Sequence, residues 1–240
     1  MKTRIERTVD RREEPRYGIK EAARALGMSS ATLDSWINGR KYPTNTGARF
    51  FKPLIDLAGP GRLSFFNLVE AHILLSTRKE HLVEMPAIRR ALNYVQKTYP
   101  SVHPLLSESF LTDGKDLFVK KILRATGEEQ TINVSSWGQL GLAPILDLYL
   151  RRIERDKSGW PVKLFPIRMN WPAEMKSDPP RVVVIDPDVS SGRPVVNGTG
   201  VMAEVIVGRF NTGEGVGRIA EDYGLNVSQV EEVIRYARAA

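Results

Sequence analysis

The sequence predicts a mainly α protein with small β elements, in which two helix-turn-helix modules are joined by a small α+β middle region. Three observations predict it. Residues 17–38 carry apolar side chains at helical spacing, interrupted at Gly27. Residues 181–240 run from a β-branched stretch stopped by Asp186-Pro187 into helical patterns that break at Gly224. Between them, short β-branched runs and proline-rich segments replace long helical periodicity. The boundaries that follow are residues 1–100, 101–180 and 181–240.

In the front module, Ile19, Ala22, Ala23 and Leu26 form the buried side of a helix that Gly27 ends. Ser29 or Ser30 then caps a second helix, Ala31 to Asn38, whose Leu33, Trp36 and Ile37 fall at i, i+3 and i+4 and turn toward the first. Ser30, Thr32, Asp34 and Ser35 are left outward. A helix, a glycine turn and a capped helix make the arrangement in which the second helix enters the DNA major groove with its N-terminal residues toward base edges. Ser30, Thr32 and Ser35 are therefore the candidates to face bases, while Asp34 repels phosphate and is expected along the groove or beside a cation.

The basic, aromatic, turn-rich stretch Gly39 to Pro53 reads as a wing. From Tyr17 through Leu54 the chain is similar to the N-terminal modules of MerR-like winged regulators. That resemblance implies phosphate contacts for Lys20, Arg40, Lys41, Arg49 and Lys52, which position a protein on DNA without reading its sequence. Trp36 and Tyr42 are expected to pack the core and the wing rather than stack on bases.

Leu63 to Leu75 opens with Ser64 as a cap and continues as a strongly apolar helix, and Met85 to Leu92 starts another with Pro86 in its first turn. Phe65, Phe66, Val69, Ile73 and Leu74 are more apolar residues than a helix with one wet side accommodates, so part of this face is expected in the core and part against a second subunit. In the middle region, Ser109 to Val119 reads as a hairpin around Asp113-Gly114, and Thr131 to Val134 as a short strand. A helix is expected from Ala143 to Arg155, a proline-broken strand from Trp160 to Ile167, and an extended arm from Asn170 to Pro180.

The last sixty residues carry the most specific pattern. Met202, Val205, Ile206 and Phe210 line one helix. Val216, Ile219, Ala220 and Tyr223 line a second that Gly224 stops, and Val230, Val233, Ile234 and Ala237 line a third capped by Asn226 or Ser228. The order Ile185-Asp186-Pro187, Gly192-Arg193-Pro194, Asn197-Gly198-Thr199, Ile219 to Gly224 and Val230 to Ile234 resembles a small family of helix-turn-helix domains common among bacterial antitoxins of the VapB type, which are encoded beside PIN-domain ribonuclease toxins. Gly200 stands where that family usually carries a basic or polar residue. The resemblance implies a PIN-domain toxin and operator DNA as partners. It also implies that a basic side chain competes for the toxin's metal-binding carboxylates, with Arg193, Arg209 and Arg218 as candidates.

Charge divides the chain in the same way. Residues 1–100 hold 18 basic and 10 acidic side chains, whereas residues 181–240 hold 6 and 8, within an overall net charge of +7. A polyanion belongs at the front, and a basic protein suits the back. The absence of cysteine excludes disulfides and thiolate chemistry and fits a reducing cytoplasm. No apolar run approaches the roughly 20 residues of a membrane span.

Catalytic constellations are weak. His72, His81 and His103, with Glu70 and Glu84 near two of them, match no metal-ligand spacing, and Asn197 to Gly200 lacks the lysine of a phosphate loop. No metal or other cofactor is expected, and no enzyme. The sequence thus reads as an antitoxin that represses its own operon as a homodimer, with a stand-alone transcription regulator lacking a toxin as the alternative.

Overall fold

Two glycines in the left-handed region, Gly27 (φ +67°) and Gly224 (φ +63°), stop the first helix of each helix-turn-helix, as the absence of a Cβ permits. They belong to a computed structural model that describes residues 10–44, 47–57, 59–78, 85–126, 135–167 and 178–238. Among these residues the chain is mainly helical with small two-stranded sheets.

Strand β1 (Tyr17–Gly18) leads into α1 (Ile19–Leu26), and Ser29 caps α2 (Ser30–Ile37) by accepting from the Thr32 amide. Leu33, Trp36 and Ile37 are buried, as their spacing predicts. The carbonyl of Trp36 accepts from the amides of Leu54 and Ile55, which ties the end of α2 to the chain returning from the wing. That wing is an antiparallel hairpin, β2 (Arg40–Thr44) and β3 (Gly47–Phe51), with Arg40 paired to Phe51 and Tyr42 to Arg49. Strand β4 (Arg62–Leu63) then pairs with β1.

Helix α3 (Phe65–Ser76) starts in a reciprocal cap: Ser64 Oγ accepts from the Asn67 amide and Asn67 Oδ1 from the Ser64 amide. Every residue of α3 is buried. Its excess of apolar residues is therefore consumed inside one chain, by α1, β4 and elements from the middle region. This corrects the expectation that part of the face meets a second subunit, since a helix apolar all round is satisfied by a central position.

Helix α4 (Met85–Thr98) follows. The hairpin expected over Ser109 to Val119 is not formed: the chain makes a wide π-helical turn, Phe110–Gly114, and runs directly into α5 (Lys115–Thr126). Phe110, Phe118, Val119 and Ile122 are buried, and the rings of Phe110 and Phe118 meet edge to face at 5.9 Å. Burial of this helical stripe against α4 outweighs the local turn signal of Asp113-Gly114. The expected strand at Thr131 to Val134 lies outside the described residues.

Helix α6 (Ser135–Leu150) ends five residues earlier than expected, and Ile153–Arg155 instead form β5, paired with β6 (Pro161–Leu164). The buried Arg152 guanidinium explains the break. It donates to the carbonyls of Phe165 (3.1 Å), Pro179 (2.6 Å) and Pro180 (3.0 Å), which holds three chain segments at one point. Burial pushes its pKa down to about 10, with the nearby Arg181 charge adding to the effect. Most of the arm expected over Asn170 to Pro180 lies outside the described residues.

The last region begins with β7 (Val183–Val184), joined to the middle by the Leu164–Ile185 bridge and paired with β8 (Val195–Val196). Helices α7 (Ala203–Asn211), α8 (Val216–Tyr223) and α9 (Val227–Arg238) follow. Asn226 caps α9, its Oδ1 accepting from the Gln229 amide while Gln229 Oε1 accepts from the Asn226 amide. One apolar core runs without interruption from Tyr17 to Ile185, and a second, smaller one fills the three-helix end.

Candidate nucleic-acid interface

The residues predicted to face bases sit at the start of α2, each in a different state. Ser30 is exposed, and among the described residues nothing bonds its hydroxyl. Thr32 Oγ1 accepts from Ser29 Oγ (2.8 Å), so its own proton stays free for an outside acceptor. Ser35 Oγ donates to the Thr32 carbonyl (2.7 Å), which leaves it only acceptor capacity. Asp34 is engaged sideways, taking a 2.8 Å bond from Asn38 Nδ2 at the far end of the helix.

The wing follows from strand alternation. Arg40, Tyr42, Arg49 and Phe51 share one face of the hairpin, and Lys41 and Phe50 share the other. Tyr42 stacks on Phe51 at 3.9 Å, and the Arg89 guanidinium of α4 lies 4.9 Å from the centre of the Phe51 ring. Tyr42 is thus a wing-packing residue and Trp36, at 1% exposure, a core residue, as predicted. Phe50 is a residue the sequence reading passed over. It is 54% exposed, directly opposite Lys41, and period-two alternation along the wing was the signal available for it.

Lys20, Arg40, Lys41, Arg49 and Lys52 are all exposed, and among the described residues no acid pairs with any of them. The three candidate arginines of the last region behave oppositely. Arg209 forks onto Glu214 and reaches Asp222 at 2.5 Å while lying over the Tyr223 ring, and these acids hold its pKa above the ordinary arginine value. Arg193 pairs with Glu204 at 3.0 Å, and Arg218 with Asp222 at 3.3 Å and Glu221 at 3.7 Å. Arg193 and Arg218 are more than half exposed, so their pairs are surface pairs worth about 0–1 kcal/mol. The front cations are thus without acidic partners among the described residues, Arg40, Lys41 and Arg49 on the wing, Lys52 just after it and Lys20 at the start of α1, whereas Arg193, Arg209 and Arg218 are paired within their own module.

The two ends of the chain also touch. Tyr236 Oη of α9 donates to the Ala25 carbonyl of α1 at 2.7 Å, Tyr17 Oη donates to the Gly192 carbonyl at 3.0 Å, and Arg16 donates to the Pro187 carbonyl at 2.8 Å. No local sequence signal announces these contacts.

Of the histidines, His103 and Glu70 come together in the interior. His103 Nδ1 lies 3.0 Å from Glu70 Oε2, and Nε2 lies 3.2 Å from Glu13 Oε2. Burial alone lowers the His103 pKa, but hydrogen bonds and charge from Glu70 and Glu13 outweigh it and leave the imidazole above its ordinary value. His72 bonds the Tyr149 carbonyl at 3.2 Å and is pushed down to about 3 by burial. His81 and Glu84 lie outside the described residues, among which no group of three or more such side chains is placed to hold a metal.

Residues 183–237 match the family described as a protein of unknown function (DUF433). The chain is 28% identical over 234 residues, 92% of its own length and 92% of the relative's, to the Mycobacterium tuberculosis protein named "Putative antitoxin VapB45". Its fold is similar to the crystal structure of Rv2018 from Mycobacterium tuberculosis, with a TM-score of 0.61 at 24% identity, covering 92% of this chain and 98% of that one. No described helix is long and apolar enough to cross a membrane.

Proposed function

We propose that this chain is the antitoxin of a type II toxin–antitoxin pair, a cytoplasmic homodimer that neutralises a PIN-domain ribonuclease of the VapC type and represses its own operon. The observation that carries the reading is the likeness to a protein named as an antitoxin, which extends over 92% of both chains and is not confined to one shared module.

DNA belongs to the front module, residues 1–100, in the manner of MerR-like winged regulators. The module carries five exposed cations without acidic partners among the described residues and a capped helix that starts with exposed Ser30 and Ala31, and cations that neutralise phosphates release the counterions condensed on DNA. Ser30 and Thr32 have hydroxyls available to base edges, Ser35 accepts only, and Lys20, Arg40, Lys41, Arg49 and Lys52 take phosphates. Residues 101–180 bracket this head, and residues 181–240 meet the toxin. There Arg193 and Arg218 are favoured over Arg209, because exchanging a surface pair for a carboxylate of the toxin costs little, whereas Arg209 would abandon a fork with two acids. No step of this reading needs catalysis.

A second reading, a stand-alone regulator, is favoured by the fact that all three candidate arginines, Arg193, Arg209 and Arg218, already have acidic partners in their own module. One experiment separates the two. Expressing the neighbouring open reading frame alone is expected to arrest growth, and co-expression with this chain to restore growth and yield a co-purifying complex. A harmless neighbour, or a toxic one without rescue, overturns the antitoxin reading and leaves the regulator.

A further inference from the structure

A cleft of about 330 Å³ opens between the inner side of the wing and α4. One wall is built from Arg89, Asn93 and Gln96, which recur at i, i+4 and i+7 and so share a face of the helix, with Leu92 set among them. The opposite wall is Phe51 and Leu54. This volume lies within the range of small-ligand sites, which combine apolar walls with a few convergent polar groups.

The polar groups have unequal claims on them. Arg89 donates to the Lys52 carbonyl and covers the Phe51 ring, yet its Nε is buried with no acceptor. A buried guanidinium donor without a partner is costly, and burial accordingly lowers the Arg89 pKa. Gln96 Nε2 is spent on the Ser101 carbonyl at 2.8 Å, which leaves its Oε1 as an acceptor. Of the two acids that line the cleft, Glu70 is engaged by His103, which leaves Asp56 as one negative charge in a lining that also holds Arg89 and Lys52. The balance favours an anion with an apolar body.

We infer that this cleft is a binding site for a small amphipathic carboxylate, its anionic end on Arg89 and Asn93 and its apolar body against Phe51, Leu54 and Leu92. Such a ligand engages Arg89 Nη2, which no acceptor among the described residues takes, and wedges the wing against α4. The site is independent of what the wing contacts and of any toxin.

The test uses the full chain with phenylacetate, benzoate and hexanoate as probes and phenethyl alcohol as a neutral control. Expected are a saturable rise in unfolding temperature with at least one carboxylate and none with the alcohol. Slower amide exchange in strands β2 and β3 should accompany it. Arg89→Gln should weaken binding at least tenfold. Asn93→Trp, which fills the cleft from an exposed helix position, should abolish binding even where Arg89→Gln disturbs folding. Absence of a saturable shift with all three carboxylates overturns the inference, as does equal binding by the Asn93→Trp variant.

Discussion

The phenol of Tyr236, near the end of α9, donates a 2.7 Å hydrogen bond to the carbonyl of Ala25 in the last turn of α1, 211 residues earlier in the chain. That carbonyl is one of the last of its helix and has no partner within it, since the cap amides of Gly27 and Met28 turn to Ala23 and Arg24. The rear module therefore completes the capping of the front one. Removing the hydroxyl in Tyr236→Phe leaves a buried acceptor unmet and should cost about 1–2 kcal/mol in urea unfolding. An unchanged midpoint would mean that water replaces the bond.

Gly192 is the second point of contact. Its φ of +78° is left-handed, and a Cβ built there would stand 2.1 Å from Tyr17 Oη. Gly192→Ala therefore carries both backbone strain and a clash, about 2–4 kcal/mol together. In a Tyr17→Phe background the nearest atom is gone, and the same substitution should cost measurably less. A double-mutant cycle showing strict additivity would sink this account.

The histidines give the stability profile two slopes of opposite sign. His103 has a folded pKa above its ordinary 6.5, so its contribution is fully present below pH 6.5 and is lost as pH rises through the raised value. Glu70, whose pKa burial also raises, acts in the same direction. His72, held near 3, contributes above pH 6.5 and loses that contribution as pH falls toward 3. His103→Gln should flatten the loss of stability as pH rises above 6.5. A His103→Gln profile parallel to the parent above pH 6.5 would refute the assignment.

The free cations of the wing make a prediction on salt. Arg40→Gln and Lys41→Gln should each weaken DNA binding by a similar factor on every sequence and lower the slope of log affinity against log salt by about 1. Thr32→Val, at a position proposed to face bases, should change sequence preference and leave that slope intact. Fluorescence anisotropy across a salt series reads both, and a Thr32→Val variant that loses slope would exchange the two roles.

Arg209→Ala should lower the unfolding temperature of the rear module, because Glu214 and Asp222 would be left facing one another without the cation between them. Arg218→Ala, which removes an exposed pair, should leave it nearly unchanged. Differential scanning calorimetry of the two variants checks the contrast.

What the sequence made legible was local. Gly27, Ser29, Ser64, Gly224 and Asn226 mark helix ends through backbone and capping chemistry that acts within a few residues, and each stands where its pattern placed it. Asp113-Gly114 misled because a turn signal of the same range met a helical stripe, Phe118, Val119 and Ile122, whose burial depends on α4. Arg152 illustrates the other limit. Its three acceptors come from segments that only tertiary structure assembles, and nothing near it in sequence names them. The candidate DNA-binding positions were readable by residue type, but their free or paired state was not, since that depends on where distant acids lie.

The uninterrupted core from Tyr17 to Ile185 sets a timetable for synthesis. Helix α3 is buried by elements on both sides of it in sequence, and the last of the apolar side chains that close this core, Ile185, is added more than a hundred residues after α3. Until then the winged head waits with its apolar side open, and chains interrupted at the apparent boundary near residue 100 would never close it. The smaller rear core is made last and is local in sequence, so it has no such wait.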